Sequence, residues 1–297
     1  MTITHHPYYM KKINWKPWAL LSPSLTAIFL LLVIPILFVI VYSFWLRAPT
    51  GAVIPAFQFG NYARFFEDLF YPSILFRTIR VSLFCVLLCL VMGYIPAYFF
   101  HRSTSRYRQA LILLIMLPFW ISFIIRTMSW INILGANGFL NHFLMKIGLI
   151  SQPLSLLYNE AAVLMGLIQF LLPFMILNIF VSLEGIDKNL LEAARSMGCN
   201  EWQAFKEVTL PLSLPGVSAG CLLVFVLTAG TYLPPMILGG AGNEMIANLI
   251  FNRVIGTLDW PFGSAISVIL LLLLGTIVWT YNRYLGINQL FKAFKGN

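Results

Sequence analysis

The pentapeptide Gly216-Val217-Ser218-Ala219-Gly220 has the spacing of a hydrolase nucleophile elbow, in which a strained strand-to-helix turn presents a serine to a histidine and a carboxylate. The chain's histidines are His5, His6, His101 and His142, and none lies in a later apolar segment beside Ser218. The same residues match Gly-x-x-x-Gly, which lets two membrane helices approach closely, and packing is the reading adopted. Neither G-x-x-x-x-G-K-[ST] nor H-E-x-x-H occurs, so any work driven by ATP requires another chain to bind it. Cys85, Cys89, Cys199 and Cys221 have no metal-ligand spacing; Cys85 and Cys89 are i, i+4 neighbours on one helix, and all four are read as small packing residues. Arg126, in FIIRTMSW, is the ionisable residue deepest in an apolar run, near the outward end of that run. Two roles stay open for it: an interface arginine whose head snorkels to the headgroups, or a pathway or gate residue paired with a carbonyl or an acid.

The densest polar chemistry lies in LLEAARSMGCNEWQAFKEVTLPLSLPG (190–216), with Glu192, Arg195, Glu201, Lys206 and Glu207 close together. Its surroundings are apolar: 60% of residues are hydrophobic, 10% are charged, and the mean hydropathy is +0.85. Soluble domains carry about 25% charged residues, so the chain is placed in a lipid bilayer. Runs long enough for a hydrocarbon core about 30 Å thick occur near 18–46, 78–100, 109–131, 161–183, 214–238 and 264–284. The expectation is an all-α, polytopic membrane protein of six transmembrane helices in one domain covering 1–297. The first run is too long for a cleavable signal peptide and ends at Trp45 and Arg47 without a small-residue cleavage site.

Lys11, Lys12 and Lys16 precede the first run; Arg102, Arg106 and Arg108 follow the second; Lys188, Arg195 and Lys206 follow the fourth; Arg283, Lys292 and Lys295 close the chain. The positive-inside rule puts these segments, the tail 1–16 and both termini in the cytoplasm. The net charge of +9 is then a matter of topology and anionic lipid, and no nucleic-acid partner follows from it. Outside, 47–76 holds an interfacial aromatic segment, 132–160 is broken by Gly135 and Gly138 before a short amphipathic helix, and 239–262 is too interrupted to span. Pro35, Pro96, Pro118, Pro173 and Pro234-Pro235 interrupt spans, several beside Trp120, Gln169 or Tyr232, which suggests a lined pathway.

Within the charged stretch, Asp187 can cap a helix from Lys188, with Leu190, Leu191, Ala194 and Met197 near helical spacing. Gly198 ends it in the left-handed conformation. Asn200 with Gln203 resembles a capping box, opening a second helix through Trp202, Phe205 and Val208 to Leu210-Pro211. Ala193 and Ala194 keep one surface shallow enough for another protein's backbone. As a plain solvated loop, the same segment would hold only a Glu192–Arg195 surface pair.

Glu192-Ala193-Ala194, three residues, Gly198, nine residues, Val208, one residue, Leu210-Pro211 resembles the EAA motif of ABC-importer permeases, with Val in place of the usual Ile. LPFWISFIIRTMSWINILGANGFLN (117–141), LLPFMILNIF (171–180) and LDWPFGSAISV (258–268) look like the spermidine/putrescine permeases of the PotB type. The resemblance implies the MetI-like fold and a bacterial inner-membrane location. It implies as partners a second permease, expected to be a paralogue, a cytoplasmic ABC ATPase dimer that binds ATP and Mg, and an extracytoplasmic substrate-binding protein. This chain would bind no cofactor. Glu192, Ala193, Ala194, Gly198, Val208, Leu210 and Pro211, in the loop 184–213, would couple it to the ATPase.

For the pathway, Trp120, Arg126, Gln169, Tyr232, Asp259 and Trp260 are the candidates. Aromatic faces and acids suit a polyamine, whereas Arg126 would count against a cation. Related permeases carry phosphonates, amino acids or opines. A membrane enzyme would need a clustered catalytic set, and a stand-alone secondary transporter or channel would need intramembrane charge and would leave the Glu192 to Pro211 pattern without a purpose.

Overall fold

The computed structural model describes residues 16–103 and 105–285. The tail before Lys16 and the closing segment with Lys292 and Lys295, which the charge argument used, lie outside the described residues. Among the described residues, five helices are long and apolar enough to cross a membrane, and six if one bent pair is counted as a single span.

The first span is α1 (Lys16–Ile28) and α2 (Ile34–Tyr42), joined by a π-helical turn at Phe29–Val33. Pro35 accounts for that turn. In an α-helix its ring would meet the carbonyl four residues back, and it has no N–H to offer. Widening the preceding turn, so that the Ile34 N–H bonds to the Phe29 carbonyl five residues back, moves the ladder past the defect. A two-stranded antiparallel hairpin, Leu46–Arg47 with Val53–Ile54, follows. The aromatic segment packs on itself: Phe44 meets Phe57, Phe59 and Tyr62, the last of these in α3 (Gly60–Glu67), which buries Phe65.

α4 (Phe70–Arg102) is 33 residues long, about 50 Å at helical rise, and so extends beyond the apolar run 78–100. The run 109–131 is not one straight helix. α5 (Ser105–Met116) passes into a 3-10 turn at Leu117–Trp120, two extended residues follow, and α6 (Phe123–Leu134) sets off anew. The segments Tyr107–Trp120 and Phe123–Lys146 meet at 89°. Pro118 starts the short turn, and Ile121 and Ser122 in extended conformation give the corner. Gly135 ends α6 and Gly138 caps α7 (Phe139–Lys146), the expected short amphipathic helix.

α8 (Glu160–Glu184) packs side by side with α4 and with α11 (Leu210–Gly230), and these three helices hold the core around Cys89, Leu167, Leu171, Met175, Ile179 and Val224. The approach of α11 to α8 depends on Gly216. A Cβ there would sit 2.3 Å from the Ser182 Cβ and 2.5 Å from the Asn178 carbonyl oxygen, and its N–H donates to Ser182 Oγ at 3.2 Å. The Gly-x-x-x-Gly reading therefore holds. Ser218 lies between the Pro215 carbonyl and the Tyr281 hydroxyl, 3.0 Å from each. The apolar run 214–238 ends as a helix at Gly230, and a π-helical turn at Pro235–Gly239 follows. α12 (Ile246–Phe251) leads to α13 (Trp260–Leu285), whose Ser267, Val268 and Leu271 face Pro35, Ile36, Val39 and Ile40 across an apolar groove.

Candidate functional site

One end of the bundle gathers the C-terminal ends of α4 and α8 and the start of α11. Across it lie α9 (Lys188–Ser196) and α10 (Glu201–Ala204). Local chemistry dictates both. The Asp187 side chain accepts the Asn189 N–H at 3.0 Å and opens α9. α9 closes with the Cys199 N–H on the Ala194 carbonyl at 3.1 Å and the Gly198 N–H on the Arg195 carbonyl at 2.9 Å. Those paired bonds require the left-handed backbone that Gly198 adopts, φ +91°. Asn200 and Gln203 then exchange a reciprocal pair of bonds at 2.8 and 2.9 Å, a complete capping box.

The second helix does not stop at Leu210-Pro211 as expected. A π-helical turn at Phe205–Thr209, with the Leu210 N–H on the Phe205 carbonyl, absorbs Pro211 as the first span absorbs Pro35. Glu201 to Gly230 is thus one apolar helix of 30 residues, and the end of the segment is rigidly continuous with a span. The loop 184–213 is accordingly two elements, one lying across the bundle end and one already part of the next span.

Of the residues expected at the docking face, Glu192, Ala193, Gly198, Leu210 and Pro211 are exposed and Val208 is half-buried. Ala194 is only 3% exposed. α9 packs on α10 and on the 205–209 turn, so Ala194 belongs to the inner face and not to the shallow outer surface expected of it. Met197, 79% exposed, and Trp202, 69% exposed, are large apolar groups left open beside Gly198. Arg195 pairs with Glu201 at 2.8 Å, rather than with Glu192.

Contacts that the sequence did not disclose tie this segment to α4. Glu201 also takes Arg102 at 3.1 Å. The Phe205 ring meets Tyr94 and Tyr98 edge-on at 5.9 and 5.2 Å and stacks on Trp202 at 5.5 Å. Tyr94 shares a hydrogen bond of 2.9 Å with Ser213. Close by, Glu184 at the end of α8 holds Arg108 at 2.6 Å and His101 at 3.0 Å. Tyr94 and Tyr98 stand one turn apart on α4, but no periodicity says that residue 205 lies opposite.

The pathway candidates are not gathered round one cavity by the described contacts. Gln169 accepts the Trp130 Nε1–H at 2.6 Å, and Trp120, 85% exposed, lies at the corner between α5 and α6. Tyr232 stacks on Phe251 at 5.0 Å while its carbonyl accepts from Asn248 at 2.7 Å. Asp259 is 4% exposed and already neutralised: Arg64 lies 3.1 Å and Arg47 3.8 Å from its Oδ2, and Arg64 also covers the Phe262 ring at 4.0 Å. An ammonium ion would have to displace two guanidinium groups to use it. Trp260 follows it, exposed, at the start of α13.

Arg126 is not at an interface. Phe123 meets Phe170 at 4.4 Å and Trp130 meets Gln169, so Arg126, between them on α6, is level with the middle of α8. That level is about 14 Å from the start of α8 and about 21 Å from its end at 1.5 Å per residue. The residue is 9% exposed, and its Nε is enclosed with no hydrogen-bond partner among the described residues. That level and the enclosed Nε weigh against the snorkelling role.

No family model matches the chain. Over 250 residues it is 37% identical to the spermidine/putrescine transport system permease protein PotB of Haemophilus influenzae, covering 84% of this chain and 87% of that one. It is 24% identical over 242 residues to PotC of the same organism, covering 82% and 87%. Among solved structures it is similar to a bacterial ABC transporter involved in the import of the acidic polysaccharide alginate, with a TM-score of 0.75, 19% identity and coverage of 92% of this chain and 95% of that one. An inward-facing MetNI methionine ABC transporter matches with a TM-score of 0.52, 18% identity and coverage of 70% and 91%. The bundle is therefore the MetI-like importer-permease fold, which serves cargoes of unlike chemistry and does not by itself name one.

Proposed function

Because the chain belongs to the family of PotB-type ABC-importer permeases, we propose that it is a permease subunit of a binding-protein-dependent importer for spermidine and putrescine. The observation that carries this is the 37% identity to PotB along 250 residues, far more than shared fold alone. The chain is a multi-pass protein of the bacterial inner membrane and forms half of the translocation pathway. The likeness to PotC of the same organism as that PotB supports a paralogue, rather than a second copy, as the other half. With the positive-inside rule, both termini and the α9–α10 segment lie in the cytoplasm.

In this reading the exposed face of α9, with Glu192, Ala193, Met197 and Gly198, seats in a groove of an ABC ATPase that holds ATP and Mg. Exposed Met197 and Trp202 supply apolar area to be covered there. When the ATPase dimer closes, the docked segment moves as a lever. Glu201 bound to Arg102, and Phe205 set between Tyr94 and Tyr98, pass that displacement to α4. The continuous helix through Pro211 passes it to α11. Two packed arrangements of α4, α8 and α11 then expose the pathway to one side or the other. Exposed Trp120 offers an aromatic face to an alkylammonium group. The segments 47–76, 132–160 and 239–262 receive the binding protein.

The test has two parts. Purified from membranes, the tagged chain should bring with it an ABC ATPase and a second permease, and the soluble binding protein encoded beside it should bind labelled spermidine or putrescine. A chain that purifies alone, with uptake unchanged by Gly198→Asp, removes the importer. A binding protein that prefers phosphonates, amino acids or opines removes only the polyamine.

A further inference from the structure

Arg126 is a positive charge at mid-depth of the bundle for which this chain offers no anion. All 10 acids of the chain are among the described residues, and none forms an ion pair with Arg126. Among the described residues its one electrostatic neighbour is the Phe119 ring, 6.0 Å from Cζ, at the outer limit of a useful cation–π contact. Nε is enclosed without a partner. The two Nη groups have no hydrogen-bond partner among the described residues either and are the part of the guanidinium that still reaches the surface. A buried charge without a counter-ion is expensive in a protein and more so at the depth of lipid tails. Since no acid of this chain pairs with it, its counter-ion has to come from outside the chain.

Three sources of an anion compete. Lipid phosphate is excluded by depth, since Arg126 is level with Gln169 and Phe170 in the middle of a 25-residue helix. A polyamine cargo is excluded by sign. The surface around Arg126 on α6 and the corner before it is apolar and exposed at Ile121, Ile124, Ile125 and Met128. This is a face that another membrane helix can cover while its carboxylate meets the guanidinium. Resting on the importer reading above, we infer that Arg126 receives a carboxylate from a membrane-spanning helix of the second permease subunit, so that α6 and its corner form part of the contact between the two permeases. A guanidinium–carboxylate pair in a dry interface fixes register as well as attraction, which suits a joint that must survive the rearrangement of the spans.

The importer assembled from this chain, the second permease, the ATPase and the binding protein provides the test, with Arg126→Lys, Arg126→Gln and Arg126→Glu in this chain. Retention of the second permease on the tagged chain, and uptake of labelled putrescine and spermidine, are measured together. Arg126→Lys should keep most of both, and Arg126→Glu should lower both by about tenfold or more, the penalty of opposing two buried like charges. Replacing one span carboxylate of the second permease by lysine should restore the Arg126→Glu importer and damage the wild type. The full chain alone, by contrast, should be no less heat-stable with Arg126→Gln, since that change removes an uncompensated charge. Wild-type retention and uptake with Arg126→Gln and Arg126→Glu would overturn the inference. So would an Arg126→Glu defect that no carboxylate replacement in the second permease repairs. A wild-type chain that retains neither permease nor ATPase is a different result: the importer reading fails, and the inference falls with it.

Discussion

Gly198 carries a prediction whose size can be worked from geometry. Its φ is +91°, and a Cβ added there would meet nothing within 4 Å, so a substitution acts through backbone conformation and not through a clash. An L-residue with a Cβ pays about 1–2 kcal/mol in the left-handed region, a factor of roughly 5–30 in an equilibrium. The turn holds α9 against α10 through the two hydrogen bonds from Gly198 and Cys199. Relaxing it would swing the proposed docking face away from Phe205 and the start of α11. Titrating the purified permease pair with its ATPase should therefore show apparent affinity falling about 5–30-fold for Gly198→Ala. Asparagine, which tolerates this conformation, should lose less, and β-branched valine more. The rank Gly, Asn, Ala, Val is the signature of backbone strain. Equal losses for all three would mean that any side chain simply blocks the groove, and full affinity for valine would refute the role of the turn altogether.

Further outcomes follow from single contacts. Gly216→Ala should destabilise the detergent-purified chain by about 1–3 kcal/mol, the usual cost of overpacking, because its Cβ would overlap Ser182 and the Asn178 carbonyl; an unchanged melting temperature would contradict the close packing of α8 on α11. Ser218→Ala should cost only about 0.5–1.5 kcal/mol for the lost bond to Tyr281 and leave uptake intact, whereas loss of activity at full stability would reopen serine chemistry. Phe205→Ala, which empties the space between Tyr94 and Tyr98, should leave the ATPase bound and hydrolysing while uptake per ATP falls; proportionate loss of both would place Phe205 in docking rather than transmission. Asp259→Asn should destabilise by about 1–3 kcal/mol, since Arg64 and Arg47 lose their shared partner, and a lower affinity for cargo at unchanged stability would instead place Asp259 in the pathway.

What the sequence made legible was mostly local. Asp187, Gly198 and the Asn200–Gln203 pair act within a few residues of themselves, and each appears in the fold with the role its type implied. The apolar runs fixed five long spans because their lengths match a bilayer. Harder to read were the two ways a proline is accommodated. Pro211 is absorbed by a π-helical turn and the helix continues, while Pro118 opens a right-angled corner, and hydropathy treats both alike. The remaining differences are long-range. Ala194 faces inward because the 205–209 turn lies beneath it, and Asp259 is claimed by Arg64, 195 residues away. Arg126 looked near the outward end of its run only because that run seemed straight. The bend brings it to the middle of α8.

The central claim is tested most directly by uptake in proteoliposomes holding this chain with its second permease and ATPase, supplied with the binding protein outside and ATP inside. Accumulation of labelled spermidine or putrescine should require all four proteins and ATP, and should stop when Gly198→Asp is introduced. Uptake by this chain alone, or uptake indifferent to ATP and to the binding protein, would contradict the account.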